Sequence, residues 1–403
     1  MEGKILIIGG GKAQLKLIKN AKSLGLKTIV TGIAGDYPGY KFADKTYTID
    51  INNKEAIAKI AIAENINGVC LCCSDYGLNT VGYICDKLNL NGLTEKAASY
   101  STNKLNMKKT LVEHQVPTAK YLVIKNEKDI PHALTYLQFP LIVKAVDLQG
   151  SKGIFVSKNE SELYENVRAV MNLSKKDYCL IEEYLIGEEF GVQAFVQNGK
   201  ILFIHSHGDI LLKKNGISVP IGHYMPYLNS ESDDQKLKQI ISDAVNALEL
   251  DNCAVNVDLI NVNGTFHIIE LTGRAGANQL PEIIKEYFGI NYYEFILKNA
   301  LGIDLQSEFA KTNIMSRFVM SRQLFSLQSG NVTEINLGDI PEYISAELYI
   351  EKGTEVHKFT NSQDCIGQLI CTGENYDDCN SKISKFINEN IKIKIGDELL
   401  RIQ

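Results

Sequence analysis

Short unbroken apolar runs alternate with amphipathic stretches over the first hundred residues. "KILII" (4–8) is apolar on every position but its first, which predicts a strand buried on both faces. "AQLKLIKNAKSLG" (13–25) then spaces its apolar residues at helical period and ends in glycine. "KTIVTG" and "YTIDI" read as strands, "KEAIAKIAIAEN" as a helix, "GVCLCC" as a strand and "YGLNTVGYICDKLNL" as a helix. Such alternation predicts a parallel sheet flanked by helices.

From about residue 101 the pattern changes. "TNKLNMKKTLVEHQ" predicts a helix, followed by strands in "TAKYLVI", "FPLIVKA" and "IFVS", a helix over 159–173, and strands in "YCLIEEYL", "EEFGVQAFV" and "KILFIHSHGD". An amphipathic helix, "DDQKLKQIISDAVNALEL", precedes a hairpin, "CAVNVDLINVNGTFHIIELTG", and a helix in "NYYEFILKNALG". The last hundred residues mix short strands with one clear helix, "YDDCNSKISKFINEN". The expected class is therefore α/β at the N-terminus and α+β beyond it, without internal repeats or a low-complexity linker.

Composition narrows this picture. A chain of 403 residues, 45% hydrophobic and 22% charged, is globular and long enough for several cores. A net charge of −6 argues against nucleic acid or an anionic membrane as principal partner. The nine cysteines show no framework spacing, so reduced thiols and a cytoplasmic protein are expected. Cys70, Cys72 and Cys73 lie in an apolar run with no second pair at zinc spacing, so they read as small buried hydrophobes.

"IIGGGKAQ" (7–14) raises the prospect of a dinucleotide. Gly9 and Gly11 fit the first two glycines of G-x-G-x-x-G, but the third place holds Gln14. The second strand ends in Thr31 and Gly32, where an acid should meet the ribose. The loop is expected to be scaffold, or part of a substrate pocket, and a redox function is set aside.

The chemistry gathers between 100 and 280. Lys144 ends a buried strand, and "QGSKGI" follows, a glycine loop whose backbone N–H groups suit phosphate if Lys144 adds charge. A snorkelling lysine is the plainer alternative. In "IEEYLIGEEF", Glu182, Glu183, Tyr184 and Leu185 offer carboxylate, backbone and apolar contacts suited to adenine, with Glu189 placed for a ribose. A solvated acidic strand edge fits equally well. Asp258 and Glu270 each interrupt an apolar strand of the hairpin, and buried acids call for a partner such as a divalent cation or a lysine. A strict two-residue turn at Asn263-Gly264 would set Asp258 opposite Ile269 and send Glu270 to the other face. The metal reading therefore demands an odd-length loop, Val262-Asn263-Gly264, with the acids as diagonal neighbours.

Taken together, "ILIIGGGKAQLKLIKNAKSLGLKTIV", "NKLNMKKTLVEHQVPTAKY" and "IELTGRAG" resemble the ATP-grasp carboxylate–amine ligases, in the branch of biotin carboxylase, the carbamoyl-phosphate synthetase large chain and the purine-pathway carboxylases. The resemblance implies a Rossmann-like domain over 1–100, an ATP-grasp domain over 101–305 with a mobile lid at 118–187, and a small α+β domain over 306–403. It implies that Lys104 and Lys144 bind ATP phosphates beneath a loop of Gly150, Ser151, Lys152 and Gly153. Glu182, Glu183, Tyr184 and Leu185 would hold adenine, and Glu189 the ribose. Asp258 and Glu270 would ligate magnesium, or manganese in its place, with Arg274 at the substrate carboxylate. Thr272 stands where the family has asparagine, and a hydroxyl is a poorer ligand than an amide oxygen.

The implied activity is formation of a C–N bond through an acyl phosphate, releasing ADP and phosphate, with Lys144 and Arg274 at the reacting groups. An amino acid or an intermediate of a surface-glycan or peptide pathway is the expected substrate, and a homodimer the expected assembly. His207 and Asp209 share a strand face with His205 and are expected to line the substrate pocket. "NGISVPIGHYMPYLN" (215–229), with His223, reads as a specificity loop, and "TGRAGANQLPEII", with Gly276, as a wrap of backbone groups around substrate. The alternatives are a bicarbonate-activating carboxylase subunit and an ATP-binding regulatory protein with reduced catalysis.

Overall fold

A computed structural model describes residues 1–148, 152–214, 217–227, 230–315, 317–360 and 364–402. Strands β1 (Lys4–Ile8), β2 (Lys27–Gly32), β3 (Lys45–Thr48) and β4 (Gly68–Cys70) form a parallel sheet in the order β3-β2-β1-β4. The apolar run of β1 is central and buried, as its sequence demands. The helix Lys12–Ser23 leaves the glycine loop directly after β1. A Cβ on Gly10 would overlap the ring of Tyr40, which covers the loop, and Gly39 N–H donates to Gly10 O at 2.8 Å. The loop's small residues thus serve close packing of the Pro38–Phe42 turn, which accords with the scaffold expectation.

Strands β5 (Tyr121–Ile124), β6 (Leu141–Lys144), β7 (Ile154–Ser157) and β8 (Cys179–Glu183) build an antiparallel sheet in the order β5-β8-β6-β7. The helix Glu160–Leu173 covers it, and the two share a small core around Val143, Leu163, Val167 and Ile181.

The largest sheet is antiparallel and has eight strands. It contains β9 (Glu188–Gln197), β10 (Lys200–Lys214), β11 (Ile217–Met225), β12 (Cys253–Val262), β13 (Thr265–Thr272) and β14 (Phe318–Phe325). Strand β15 (Gly330–Leu337) belongs to a separate four-stranded sheet, whereas β16 (Ile344–Leu348) returns to the large one. Strand β17 (Glu355–Val356) joins β15, and β18 (Cys365–Gly373) completes the large sheet, in the order β13-β12-β9-β10-β11-β14-β18-β16. The C-terminal strands thus continue the central sheet, with Tyr224 of β11 opposite Met320 of β14.

The expected loop over 215–229 is instead largely strand β11, paired with β10. Its Pro220 is accommodated because the register shifts there: Leu211 faces Pro220 while Ile210 faces Gly222, leaving Ile221 as the extra residue of a bulge. One core joins Leu6, Ile8 and Val69 of the parallel sheet to Val192, Val257 and Leu271 of the large one. The glycine loop and the hairpin acids therefore belong to one packed body.

Candidate active site

The hairpin resolves the question its acids posed. Val262 pairs with Thr265, so Asn263 and Gly264 alone make the turn, both at positive φ (52° and 85°). The expectation of an odd-length loop is wrong. The missing residue comes from the ladder instead, because Leu259 pairs with Ile268 whereas Asp258 pairs with Glu270. Ile269 is the extra residue of a bulge, and it brings the two acids directly opposite one another. Burial, and then the charge of Glu270, push the Asp258 carboxyl up to about 7. Thr272 lies opposite Asn256 and is buried, and its hydroxyl has no hydrogen-bond partner among the described residues.

On one side of this pair opens a cavity of about 210 Å³, lined by Lys104, Lys108, Lys144, the stretch Glu182–Leu185 and Glu189. Lys104 Nζ lies 2.7 Å from Glu270 Oε1. Glu182, 1% exposed, accepts from both Lys108 Nζ and Lys144 Nζ at 2.9 Å through the same oxygen, Oε2. Burial alone would raise the Glu182 carboxyl, but the two lysines hold it below the usual range. Burial lowers the Lys108 ammonium, and the neighbouring charge of Lys144 adds to this. The other oxygen, Glu182 Oε1, is buried and accepts nothing among the described residues.

The N–H groups of Glu183 and Tyr184 are taken by Lys120 O and Pro140 O. Lys152 is exposed, and Gly153, at φ +69°, accepts from Ala145 N–H at 2.8 Å. Gly150 and Ser151 lie outside the described residues.

On the other side a second cavity of about 220 Å³ is lined by Asp75, His207, His223, Asn256, Arg274 and Asn278, and shares Asp209, Asp258 and Glu270 with the first. Arg274 donates to Asp75 through Nε (2.6 Å) and Nη2 (3.2 Å), a two-point pairing that keeps it charged despite burial. Asp75 follows β4, at the C-terminal end of the parallel sheet. His207 Nδ1 and His223 Nδ1 approach Asp209 Oδ1 at 3.1 and 2.6 Å. Burial lowers the His207 imidazole and would raise Asp209, but the two histidines hold that carboxyl well below its ordinary range. Gln193 fixes the floor: its Nε2 donates to Asn256 Oδ1 at 2.5 Å and its Oε1 accepts from Gly276 N–H at 2.9 Å. Gly276 thus spends its N–H inside the protein, against the expectation that it wraps substrate. "NQLPEII" likewise runs into a helix, Leu280–Phe288.

The structure therefore gathers Lys104, Lys144, Glu182, Glu189, Asp258 and Glu270 around one cavity, and His207, Asp209, His223 and Arg274 around its neighbour. Sequence reasoning missed Lys108, although it sits one helical turn from Lys104 and that spacing could have found it. Asp75, Gln193 and Asn256 carry no comparable local signal.

A family model described as the ATP-grasp (A) domain of phosphoribosylglycinamide synthetase matches residues 102–259. A crystal structure of phosphoribosylglycinamide synthetase from Anaerococcus prevotii is 37% identical, with a TM-score of 0.85 over 98% of this chain and 100% of that one. The chain belongs to the ATP-grasp superfamily. Among curated ATP-grasp relatives, the phosphoribosylamine–glycine ligase of Methanosphaera stadtmanae is 25% identical over 58% of this chain, and the alignment spans only 58% of that enzyme's length. The L-amino acid ligase of Bacillus licheniformis shares the fold, with a TM-score of 0.81 at 20% identity over 98% of this chain and 99% of its own. Among the described residues, no helix of this ATP-grasp protein is long and apolar enough to cross a membrane.

Proposed function

We propose that the protein is an ATP-dependent carboxylate–amine ligase that activates a small carboxylate as an acyl phosphate and releases ADP and phosphate. The observation that carries this reading is the facing of Asp258 and Glu270 at the junction of the two cavities. One cavity is lined by lysines suited to phosphates, and the other by groups suited to a small polar substrate.

In this reading the orphaned acceptor Glu182 Oε1 meets the amino group of adenine, and Leu185 packs on the ring. Glu189 serves the ribose, and Lys104 and Lys144 neutralise the phosphates. The acid pair fits a magnesium or manganese ion, since two opposed carboxylates, one pushed up to about 7, have among the described residues only Lys104 as an ion-pair partner. Such an ion would offset negative charge on the transferred phosphoryl group.

A substrate carboxylate oxygen attacks the γ-phosphorus, and the bond to the β–γ bridging oxygen breaks as ADP departs. An amine nitrogen then attacks the acyl carbon. The C–O bond to phosphate breaks, the nitrogen loses a proton, and an amide and free phosphate result. The chain supplies no nucleophile: its groups position the reactants, offset charge and keep water from the acyl phosphate. Arg274, already oriented by Asp75, faces the carboxylate from the second cavity.

Phosphate release from Mg-ATP, measured against paired panels of carboxylates and amines, tests this reading. Stimulation by a carboxylate–amine pair with ADP as product is expected. Tight ATP binding without stimulation by any pair, bicarbonate included, would favour the regulatory reading instead.

A further inference from the structure

The second cavity has a charge pattern that bears on what enters it. Among the described lining residues its one permanently cationic group is Arg274, and Asp75 already neutralises it through two hydrogen bonds. Asp258 and Glu270 belong to the proposed cation and to Lys104. That leaves Asp209, whose Oδ1 accepts from two histidines of the same cavity wall, as a carboxylate with no cationic partner of its own. Its Oδ2 accepts no hydrogen bond among the described residues.

The two imidazoles hold the same oxygen of Asp209, their rings edge-to-face with centroids 4.9 Å apart. His207 lies over Gly191, where a Cβ would overlap the ring, and His223 pairs with Asp209 across the β10–β11 ladder. A carboxylate so oriented, lining a small cavity, is complemented by a compact cation with several N–H donors. A phosphate would bring further negative charge to a wall whose one permanent cation among the described residues, Arg274, is already shared with Asp75.

Resting on the ligase reading above, we infer that the second cavity selects a phosphate-free amino acid zwitterion, its ammonium group on Asp209 Oδ2 and its carboxylate toward Arg274. Asp209 is then the specificity-determining residue, and His207 and His223 are positioning residues that act through it.

The test uses the full chain with Mg-ATP and compares the common α-amino acids, alone and in pairs, with the matching des-amino carboxylic acids. A further arm supplies glycine with 5-phosphoribosylamine. A preference of roughly tenfold or more in kcat/KM for the amino acid over its des-amino analogue is expected, the scale of one charge-assisted hydrogen bond. Asp209→Asn should bring the kcat/KM ratio between the amino acid and its des-amino analogue down toward one, whatever it does to the absolute rates, and a ratio unmoved by the substitution overturns the role of Asp209. Calorimetric titration of amino acids into the wild-type chain loaded with a non-hydrolysable ATP analogue gives the same discrimination without relying on the variant. Equal use of both carboxylates, or turnover that requires the phosphorylated amine, overturns the inference while the ligase reading stands. Failure of every carboxylate–amine pair to stimulate phosphate release overturns the ligase reading itself.

Discussion

Replacing Glu182 by glutamine isolates the energetics of the lysine-lined cavity. In the native protein one buried oxygen accepts from two ammonium groups at 2.9 Å, with side-chain exposures of 1% for Lys108 and 2% for Glu182. The substitution preserves shape but leaves two like charges in a common pocket without a counter-ion. Besides the neutral amide oxygen that replaces the carboxylate, Lys108 then has Thr118 Oγ1 at 3.0 Å and Ala119 O at 3.5 Å. Breaking a buried pair in this way costs about 3–5 kcal/mol. At about 2–4 °C per kcal/mol for a domain of ordinary size, the melting temperature should fall by about 6–20 °C.

The loss should also depend on pH. Burial and Lys144 already lower the Lys108 ammonium in the native protein, and removing Glu182 lowers it further. Between that depressed value and the ordinary lysine value the unfolded chain binds the extra proton, so the variant regains stability as pH rises. Thermal unfolding of both proteins at pH 6.5 and 9, with Lys108→Met in each background, completes a double-mutant cycle. A deficit below about 1 kcal/mol that ignores pH would show these charges to be effectively solvated, as expected for exposed pairs.

Two further outcomes follow from the acid pair. Glu270→Gln should lower turnover by roughly a hundredfold or more while ATP still binds, because a group acting on transferred charge is lost and the fold is not; phosphate release and nucleotide titration on one preparation check this. In the metal-free protein Asp258 titrates near 7 rather than at its ordinary 3.8, so between these values the folded state keeps a proton that the unfolded state has lost. Metal-free stability should therefore decline as pH rises from about 4 to 7, and magnesium should raise the melting temperature more at pH 8 than at pH 6; a magnesium effect independent of pH would refute the assignment.

The order of strands and helices was legible because apolar runs and helical periodicity are local properties. The facing of Asp258 and Glu270 was not. Turn chemistry alone, Asn-Gly with both residues left-handed, predicts a register that sends Glu270 away. The bulge that corrects it is held from outside the hairpin: Ile268 N–H donates to Pro117 O at 2.9 Å, and Thr118 Oγ1 donates to Ile268 O at 2.7 Å. A segment some 150 residues earlier in the chain thus clamps the strand next to Ile269. Strand β11 was hidden for a similar reason, since Pro220 reads as a strand breaker until a bulge beside it is known. Glu182 was found by its neighbours in sequence, but its partnership with Lys108 depends on the packing of the helix Lys104–Glu113 against β8.

Thr272 offers the sharpest remaining test of how the acid pair is completed. Its hydroxyl is fully buried, two residues from Glu270 along the strand, yet it meets no partner among the described residues. An unsatisfied buried hydroxyl costs about 1–3 kcal/mol, so in the metal-free protein Thr272→Val should raise stability by about 1 kcal/mol after allowing for repacking. Across the ladder, Asn256 Nδ2 already donates to Asp258 Oδ1 at 3.2 Å, and Asn256 Oδ1 accepts from Gln193. If the hydroxyl completes the cation's shell, Thr272→Val should weaken magnesium dependence of turnover by roughly tenfold even as it stabilises the apo form. A variant more stable at every magnesium concentration, with the metal requirement unmoved, would remove Thr272 from the site and leave the two carboxylates to hold the ion alone.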